Sequence, residues 1–118
     1  RTIASWCRTD GAFDETVLRH YVEASFDPAA IHAACEDYRA AATIDLAHDA
    51  ESDAAGIQLT APLLALWGSR GTIGRMFDVL GSWRAKSEGS VEGRAIDCGH
   101  FLPEEAPEAT LQALLDFF

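Results

Sequence analysis

The sequence predicts an α/β fold built on a parallel sheet. Three observations support this class: the first half of the chain carries apolar residues at helical spacing, the second half contains two short apolar runs, and a helical pattern follows each of those runs. Strand, helix, strand, helix is the order typical of an open parallel sheet, in which a crossover helix connects one strand to the next.

The first half of the chain, residues 1–54, is predicted to be helical. A first amphipathic segment closes at Cys7. A second helix is expected over residues 15–26, because its apolar side chains recur at helical spacing and Asp14 is a suitable N-cap.

The chain restarts at Asp27-Pro28, where an aspartate can cap a new helix and proline suits the first helical position. The pattern predicts one long helix that fades near His48. Residues 50–60 contain the run Ala-Glu-Ser-Asp-Ala-Ala-Gly of small and polar residues, and we expect them to form a connection.

The pattern then changes from helical to strand-like. Residues 62–67 form an unbroken apolar run that ends in Gly68, as expected of a strand buried on both faces. A helix is predicted over residues 71–86, followed by a second strand over residues 91–98.

Residues 99–103 are predicted to form a loop, and residues 106–118 a closing helix with an apolar stripe. Two strands alone do not make a stable parallel sheet, since each strand needs neighbours and cover. We therefore expect the 118 residues to be the end of a longer chain, or to receive the missing strands from another polypeptide.

Charge and composition exclude several classes of partner. Nineteen acidic and nine basic residues give a net charge of −10, which repels nucleic-acid phosphates and anionic lipid. No apolar run approaches the roughly 20 residues that cross a bilayer, and the sequence shows no signal-peptide pattern. We expect a cytoplasmic protein that binds neither nucleic acid nor membranes.

The spacing of the three cysteines is typical of neither a metal site nor a disulfide framework. Cys7, Cys35 and Cys98 are far apart, no C-x-x-C pair is present, and no histidine lies at zinc-ligand spacing from them. We expect no bound metal and reduced thiols.

The position of His100 in the sequence makes it a candidate catalytic residue. It follows the second predicted strand, and ligands of open α/β sheets bind at the carboxyl ends of strands. Histidine can act as a base near neutral pH. From the residues alone, a histidine that merely hydrogen-bonds a loop carbonyl is the favoured interpretation.

Residues 99–108, Gly-His-Phe-Leu-Pro-Glu-Glu-Ala-Pro-Glu, resemble the C-terminal histidine loop of α/β-hydrolases, in the version of the haloacetate (fluoroacetate) dehalogenases, with epoxide hydrolases close by. Residues 62–68 resemble the penultimate core strand of these enzymes. Residues 35–49 resemble the last cap helix with its return to the core, and Ala4-Ser5-Trp6 a tryptophan segment of the cap. The resemblance implies the C-terminal portion of an α/β-hydrolase: the end of a helical cap at residues 1–54, and core at residues 55–118.

The resemblance also implies roles for three residues. His100 matches the histidine that activates water to hydrolyse an aspartyl-ester intermediate. Tyr38 matches a cap tyrosine that holds the departing halide, and Trp6 matches a tryptophan that lines the pocket. The nucleophilic aspartate, the triad acid and the arginine that binds the substrate carboxylate would all lie upstream, so the 118 residues alone cannot assemble the active site.

The implied activity is hydrolysis of a small haloacid without metal or organic cofactor, by a homodimer. Three alternatives stay open: epoxide or other ester hydrolysis with the same histidine, a non-catalytic fragment or interaction module, and a split enzyme whose N-terminal portion is a separate chain. Glu104 and Glu105 are expected only to favour the N-terminal dipole of the closing helix.

Overall fold

The computed structural model describes residues 5–118; Ala4, and with it the start of the predicted cap segment, lies outside the described residues. The chain divides into two compact units. One contains residues 14–58, and the other combines residues 5–13 with residues 59–118. These units are defined by which residues pack together. The predicted boundary between a cap and a core near residue 54 stays a prediction.

The unit of residues 14–58 contains three helices, α1 (Glu15–Ala24), α2 (Pro28–Ala41) and α3 (Ile44–Ala54). Both predicted aspartate caps are confirmed. Asp14 Oδ1 accepts a hydrogen bond from the Val17 N–H at 2.8 Å, and Asp27 Oδ1 accepts one from the Ala29 N–H at 2.9 Å. Each carboxylate thereby satisfies a main-chain donor that the first helical turn leaves open.

The prediction of one long helix after Pro28 is wrong, because the chain breaks between α2 and α3. The Thr43 hydroxyl donates to the Arg39 carbonyl at 2.6 Å, and the backbone of Thr43 leaves the helical region. Threonine competes for helical carbonyls in this way when it lies near a helix end. The helix that follows extends to Ala54, so the connection predicted for residues 50–60 begins later.

The second unit contains the predicted parallel pair of strands, β1 (Leu63–Gly68) and β2 (Val91–Ile96). Their register places Leu63 opposite Val91 and Gly68 opposite Ile96, so both strands end at the same level. The segments that follow the carboxyl ends of β1 and β2 therefore lie close together. The buried apolar residues of the described chain all belong to this unit: Ala65, Ile96, Cys98 and Ala113.

Residues 59–118 of this unit also contain four short helices: α4 (Ile73–Met76), α5 (Val79–Arg84), α6 (Leu102–Glu105) and α7 (Pro107–Phe117). The single helix predicted over residues 71–86 is thus divided. Phe77 is extended, and Asp78 caps a new helix by accepting the Gly81 N–H at 3.0 Å. The predicted loop over residues 99–103 is also shorter than expected, because Pro103 lies in the first turn of α6.

Much apolar surface of this unit has no cover in the described chain. The stripe on α7 is exposed, although its residues recur at helical spacing: Leu111, Leu114 and Leu115. Among residues 5–118, β1 pairs only with β2, which leaves its second edge open. Both features agree with the expectation that this pair of strands needs further neighbours. No helix of the described residues is long and apolar enough to cross a membrane.

Candidate functional site

His100 lies four residues beyond the end of β2, on a loop packed against the segment around Trp6. The His100 main-chain N–H donates to the Trp6 carbonyl at 3.2 Å. The two rings meet edge to face, with centroids 4.8 Å apart, and the Phe101 ring contacts the imidazole at 5.1 Å. The structure therefore brings together two of the three site residues predicted from the sequence, His100 and Trp6.

A cavity of about 180 Å³ opens beside this pair; it is lined by Trp6, Arg8, Gly71, Thr72, Ile73 and His100. A second cavity of about 450 Å³ runs along all six residues of β1 and also reaches His100. The imidazole is solvent-exposed within this chain. Its position allows contact with a small molecule or with water, while the role of Trp6 as a pocket residue stays a prediction.

Glu105, which terminates α6, is the buried charged group of the site and is only 8% exposed. Its Oε2 accepts main-chain hydrogen bonds from Gly99 and Arg8, both at 2.8 Å, and its Oε1 accepts one from Phe101 at 3.0 Å. The expectation that Glu105 merely favours a helix dipole is therefore wrong. The sequence shows two adjacent carboxylates, and only the folding of residues 99–101 around one of them, with the approach of Arg8, distinguishes Glu105 from Glu104.

The environment of Glu105 acts on its ionisation in two opposing ways. Burial alone raises the pKa of this carboxyl. Main-chain hydrogen bonds from Phe101, Arg8 and Gly99, together with a side-chain hydrogen bond from Thr9, outweigh that effect and lower the pKa to about 2. Hydrogen bonds donated to the charged form favour that form. Glu105 is thus an anion throughout the physiological pH range.

The folded state should consequently lose stability in acid through Glu105. Because its pKa is below the ordinary value of 4.5, the contribution is complete above that pH and disappears as the pH falls toward about 2. We expect Glu105→Gln to lower the free energy of unfolding by about 2 kcal/mol at neutral pH, and by progressively less in acid. Urea titrations at several pH values measure this difference, with the exposed Glu108→Gln as control; a pH-independent difference would contradict the prediction.

Arg70, just after β1, also binds residues 8–9, the segment whose main chain donates to Glu105. Its guanidinium donates to the Arg8 carbonyl at 2.7 Å, to Thr9 Oγ1 at 3.0 Å and to the Asp97 carbonyl at 3.1 Å. It also forms an ion pair with the exposed Asp97 carboxylate at 3.2 Å. Residues 8–9 are thus fixed both by Arg70 and by Glu105, a connection that no sequence motif signals.

The end of β1 lies against the histidine loop itself. The Arg70 N–H donates to the Cys98 carbonyl at 3.0 Å. A Cβ on Gly68 would overlap the Gly99 carbonyl oxygen and would lie 2.8 Å from the Cys98 carbonyl oxygen. Only glycine allows this approach of two main chains, so Gly68 is a requirement of the site's geometry.

Burial raises the pKa of the Cys98 thiol, the negative charge of Glu105 raises it further, and Arg70 opposes the shift. Cys98 is completely buried beneath the loop. A neutral, buried thiol is a poor nucleophile, so Cys98 serves the packing of the loop and is not a candidate for covalent chemistry.

Tyr38, the third predicted site residue, lies on α2 in the other compact unit, where its side chain is 71% exposed. It is therefore not a core tyrosine of that unit, and its role in holding halide stays a prediction. Within residues 5–118, no group of three histidine, cysteine, aspartate or glutamate side chains is arranged to hold a metal ion.

Curated proteins that match most of this chain include a dehalogenase and an epoxide hydrolase. A fluoroacetate dehalogenase from Burkholderia sp. is 33% identical over 105 residues, which are 89% of this chain and 34% of the relative. A soluble epoxide hydrolase from Corynebacterium sp. (strain C12) is 35% identical over 108 residues, 90% of this chain and 35% of the relative. The chain spans about a third of the length of these relatives. No protein-family model matches it.

Solved structures give the same result for the fold. ALR0039 from Nostoc sp. PCC 7120, assigned to the α/β-hydrolases, is 47% identical and superposes with a TM-score of 0.91 over 98% of this chain and 39% of its own. A Salmonella enterica protein assigned as an acyltransferase is 40% identical, with a TM-score of 0.91 over 98% of this chain and 38% of its own.

Proposed function

We propose that this chain, which has the fold of the C-terminal portion of an α/β-hydrolase, supplies the water-activating histidine of a hydrolase that works through a covalent ester. One observation carries the proposal: His100 lies beyond the carboxyl end of β2, with its ring against Trp6 at a cavity of about 180 Å³. A base at this edge of the sheet faces the place where substrates of such folds bind.

The proposed substrate is a haloacetate, of which fluoroacetate is the first choice because of the Burkholderia relative. An aspartate outside residues 1–118 attacks the carbon that bears the halogen, and the halide leaves with the bonding electron pair. His100 then takes a proton from water as the water oxygen attacks the ester carbonyl. The ester bond breaks, glycolate leaves, and the aspartate is regenerated.

The rest of the active site has to come from a further portion of the hydrolase, either in the same chain or in a separate one. The small sheet of the described residues supports this part of the proposal, since two parallel strands with an open edge are too few to form a stable sheet. The intact mass of the native protein under denaturing conditions distinguishes a longer chain from a separate subunit. We further propose a cytoplasmic homodimer, which gel filtration of the native material tests.

Epoxide hydrolysis is the second candidate function, because the Corynebacterium relative is as similar as the dehalogenase. The two reactions share an ester intermediate and a histidine base but release different products. We would incubate the native protein with fluoroacetate, chloroacetate and a small epoxide, and measure halide, glycolate and diol. Halide release equal to glycolate formation supports dehalogenation. Diol alone favours the second candidate, and no turnover of any substrate favours a non-catalytic module.

Tyr38→Phe tests whether this tyrosine stabilises the departing halide. A phenolic O–H that donates to a developing anion is worth about 10²-fold in rate. We expect a loss of this size with fluoroacetate and a smaller loss with chloroacetate, since fluoride accepts hydrogen bonds more strongly. Tyr21→Phe, which alters the other tyrosine of the chain, is the control. Equal, small effects of the two substitutions would exclude Tyr38 from the halide site.

A further inference from the structure

We infer that Glu105 is a positioning residue, whose carboxylate fixes the main chain on both sides of His100 and thereby sets where the imidazole stands. The inference rests on the proposed function, because it matters only if His100 activates water. It assigns to Glu105 a part in one of two chemical steps, the hydrolysis of the ester.

The first argument is that the main-chain donors around His100 are all engaged. The N–H groups of Gly99 and Phe101 donate to the Glu105 carboxylate at 2.8 and 3.0 Å. The N–H of His100 itself donates to the Trp6 carbonyl at 3.2 Å. Three consecutive peptide groups are therefore held, so the Cα of His100 has little freedom.

The second argument is that Glu105 also fixes what the imidazole packs against. Its Oε2, which accepts the Gly99 N–H, simultaneously accepts the Arg8 N–H at 2.8 Å. Arg8 is two residues from Trp6, whose ring contacts the His100 ring. One oxygen atom thus joins the histidine loop to the segment that supports the histidine ring.

The third argument is that the site requires a carboxylate, because both oxygens of Glu105 act as acceptors. A glutamine of the same shape has one acceptor oxygen and one N–H₂ donor group. In either orientation its N–H₂ group would face a main-chain N–H, of Phe101 or of Gly99 and Arg8. We call the three main-chain hydrogen bonds that the Glu105 carboxylate accepts the clamp. Glu105→Gln breaks the clamp without changing the size of the side chain. Glu105→Asp keeps the negative charge but shortens the side chain.

Pre-steady-state kinetics can separate positioning from simple stabilisation. Alkylation of the aspartate releases halide without needing His100, so a variant that slows ester hydrolysis shows a burst of halide followed by a slower steady rate. We expect Glu105→Gln to keep the rate constant of the burst and to slow ester hydrolysis by about 10–100-fold, since small displacements of a catalytic group are this costly. We expect Glu105→Asp to recover part of that loss, and the exposed Glu108→Gln to behave as wild type.

Each contrary outcome has a clear meaning. A variant that is only less stable would show a smaller burst with an unchanged rate of ester hydrolysis per folded molecule, and this result would overturn the inference. Hydrogen exchange at the amides of residues 99–101 gives a readout independent of activity. Faster exchange in Glu105→Gln than in Glu108→Gln is expected, and equal exchange would overturn the clamp even if the native protein turned over no substrate. Absence of both halide and diol release by the wild type, with the exchange difference present, would refute the proposed function and leave the hydrogen bonds of Glu105 with a structural role only.

Discussion

His100→Asn is expected to reduce turnover of fluoroacetate by about 10²–10⁴-fold, the usual contribution of a general base. Asparagine has a similar shape and can still hydrogen-bond, but it cannot accept a proton from water at neutral pH. The main-chain bond from residue 100 to the Trp6 carbonyl does not depend on the side chain. The loop should therefore keep its structure while the second chemical step fails.

The variant should also accumulate the ester that the wild type consumes. We expect one equivalent of halide to be released per active site, and the mass of the polypeptide that carries the aspartate to rise by that of a carboxymethyl group. Mass spectrometry of the quenched reaction measures both. His32→Asn is a suitable control, because His32 is an exposed histidine of α2. Full turnover by His100→Asn, or loss of turnover without a trapped adduct, would contradict the role of His100.

Gly68→Ala is expected to cause the largest loss of stability, more than about 4 kcal/mol, which only a steric or burial defect of the interior produces. The new methyl group would overlap the Gly99 carbonyl oxygen. The methyl carbon is bonded directly to the Cα of residue 68, and the oxygen belongs to the main chain of Gly99, so no side chain can turn away to make room. Relief requires that the end of β1 separate from the histidine loop.

Urea unfolding of wild type and variant measures this loss, and Gly71→Ala is the matched control. A Cβ on Gly71 would approach its nearest neighbour, the Gly68 carbonyl oxygen, at 3.2 Å. Such a contact can relax by a few tenths of an ångström, so we expect a change of about 1 kcal/mol or less. If the two variants have the same stability, the close approach of Gly68 and Gly99 does not occur in the protein.

The class and order of the elements were predictable from the sequence, and the comparisons confirm the predicted α/β-hydrolase fold and its resemblance to dehalogenases and epoxide hydrolases. Local patterns are sufficient for this purpose. An apolar run ending at Gly68 predicts a buried strand, and an aspartate before a helical pattern predicts a cap at Asp14 and Asp27. Placement of His100 beyond a strand follows from the same reasoning.

The breaks in the helices and the environment of Glu105 were not predictable in this way. Apolar spacing continues through Thr43 and through Phe77, so the pattern alone extends the helices across both positions. Glu105 differs from Glu104 because the N–H groups of Gly99, Phe101 and Arg8 all donate to its carboxylate. Arg8 approaches from about a hundred positions away, and a pattern of local residues does not encode that contact. A glutamate five residues after a candidate histidine is the signal that could have directed attention to it.

The attachment of residues 5–13 to residues 59–118 has a consequence for how this protein can diversify. Residues 14–58 form an insertion, since the chain leaves one compact unit and returns to it. The entropy of closing such an excursion rises only with the logarithm of its length, by about 0.6 kcal/mol per doubling. Evolution can therefore lengthen, shorten or exchange the three helices at little thermodynamic cost, while Arg70 and Glu105 keep the histidine loop in place. If those helices form the substrate-facing cap and His100 acts as proposed, substrate specificity can change without any change in the histidine loop.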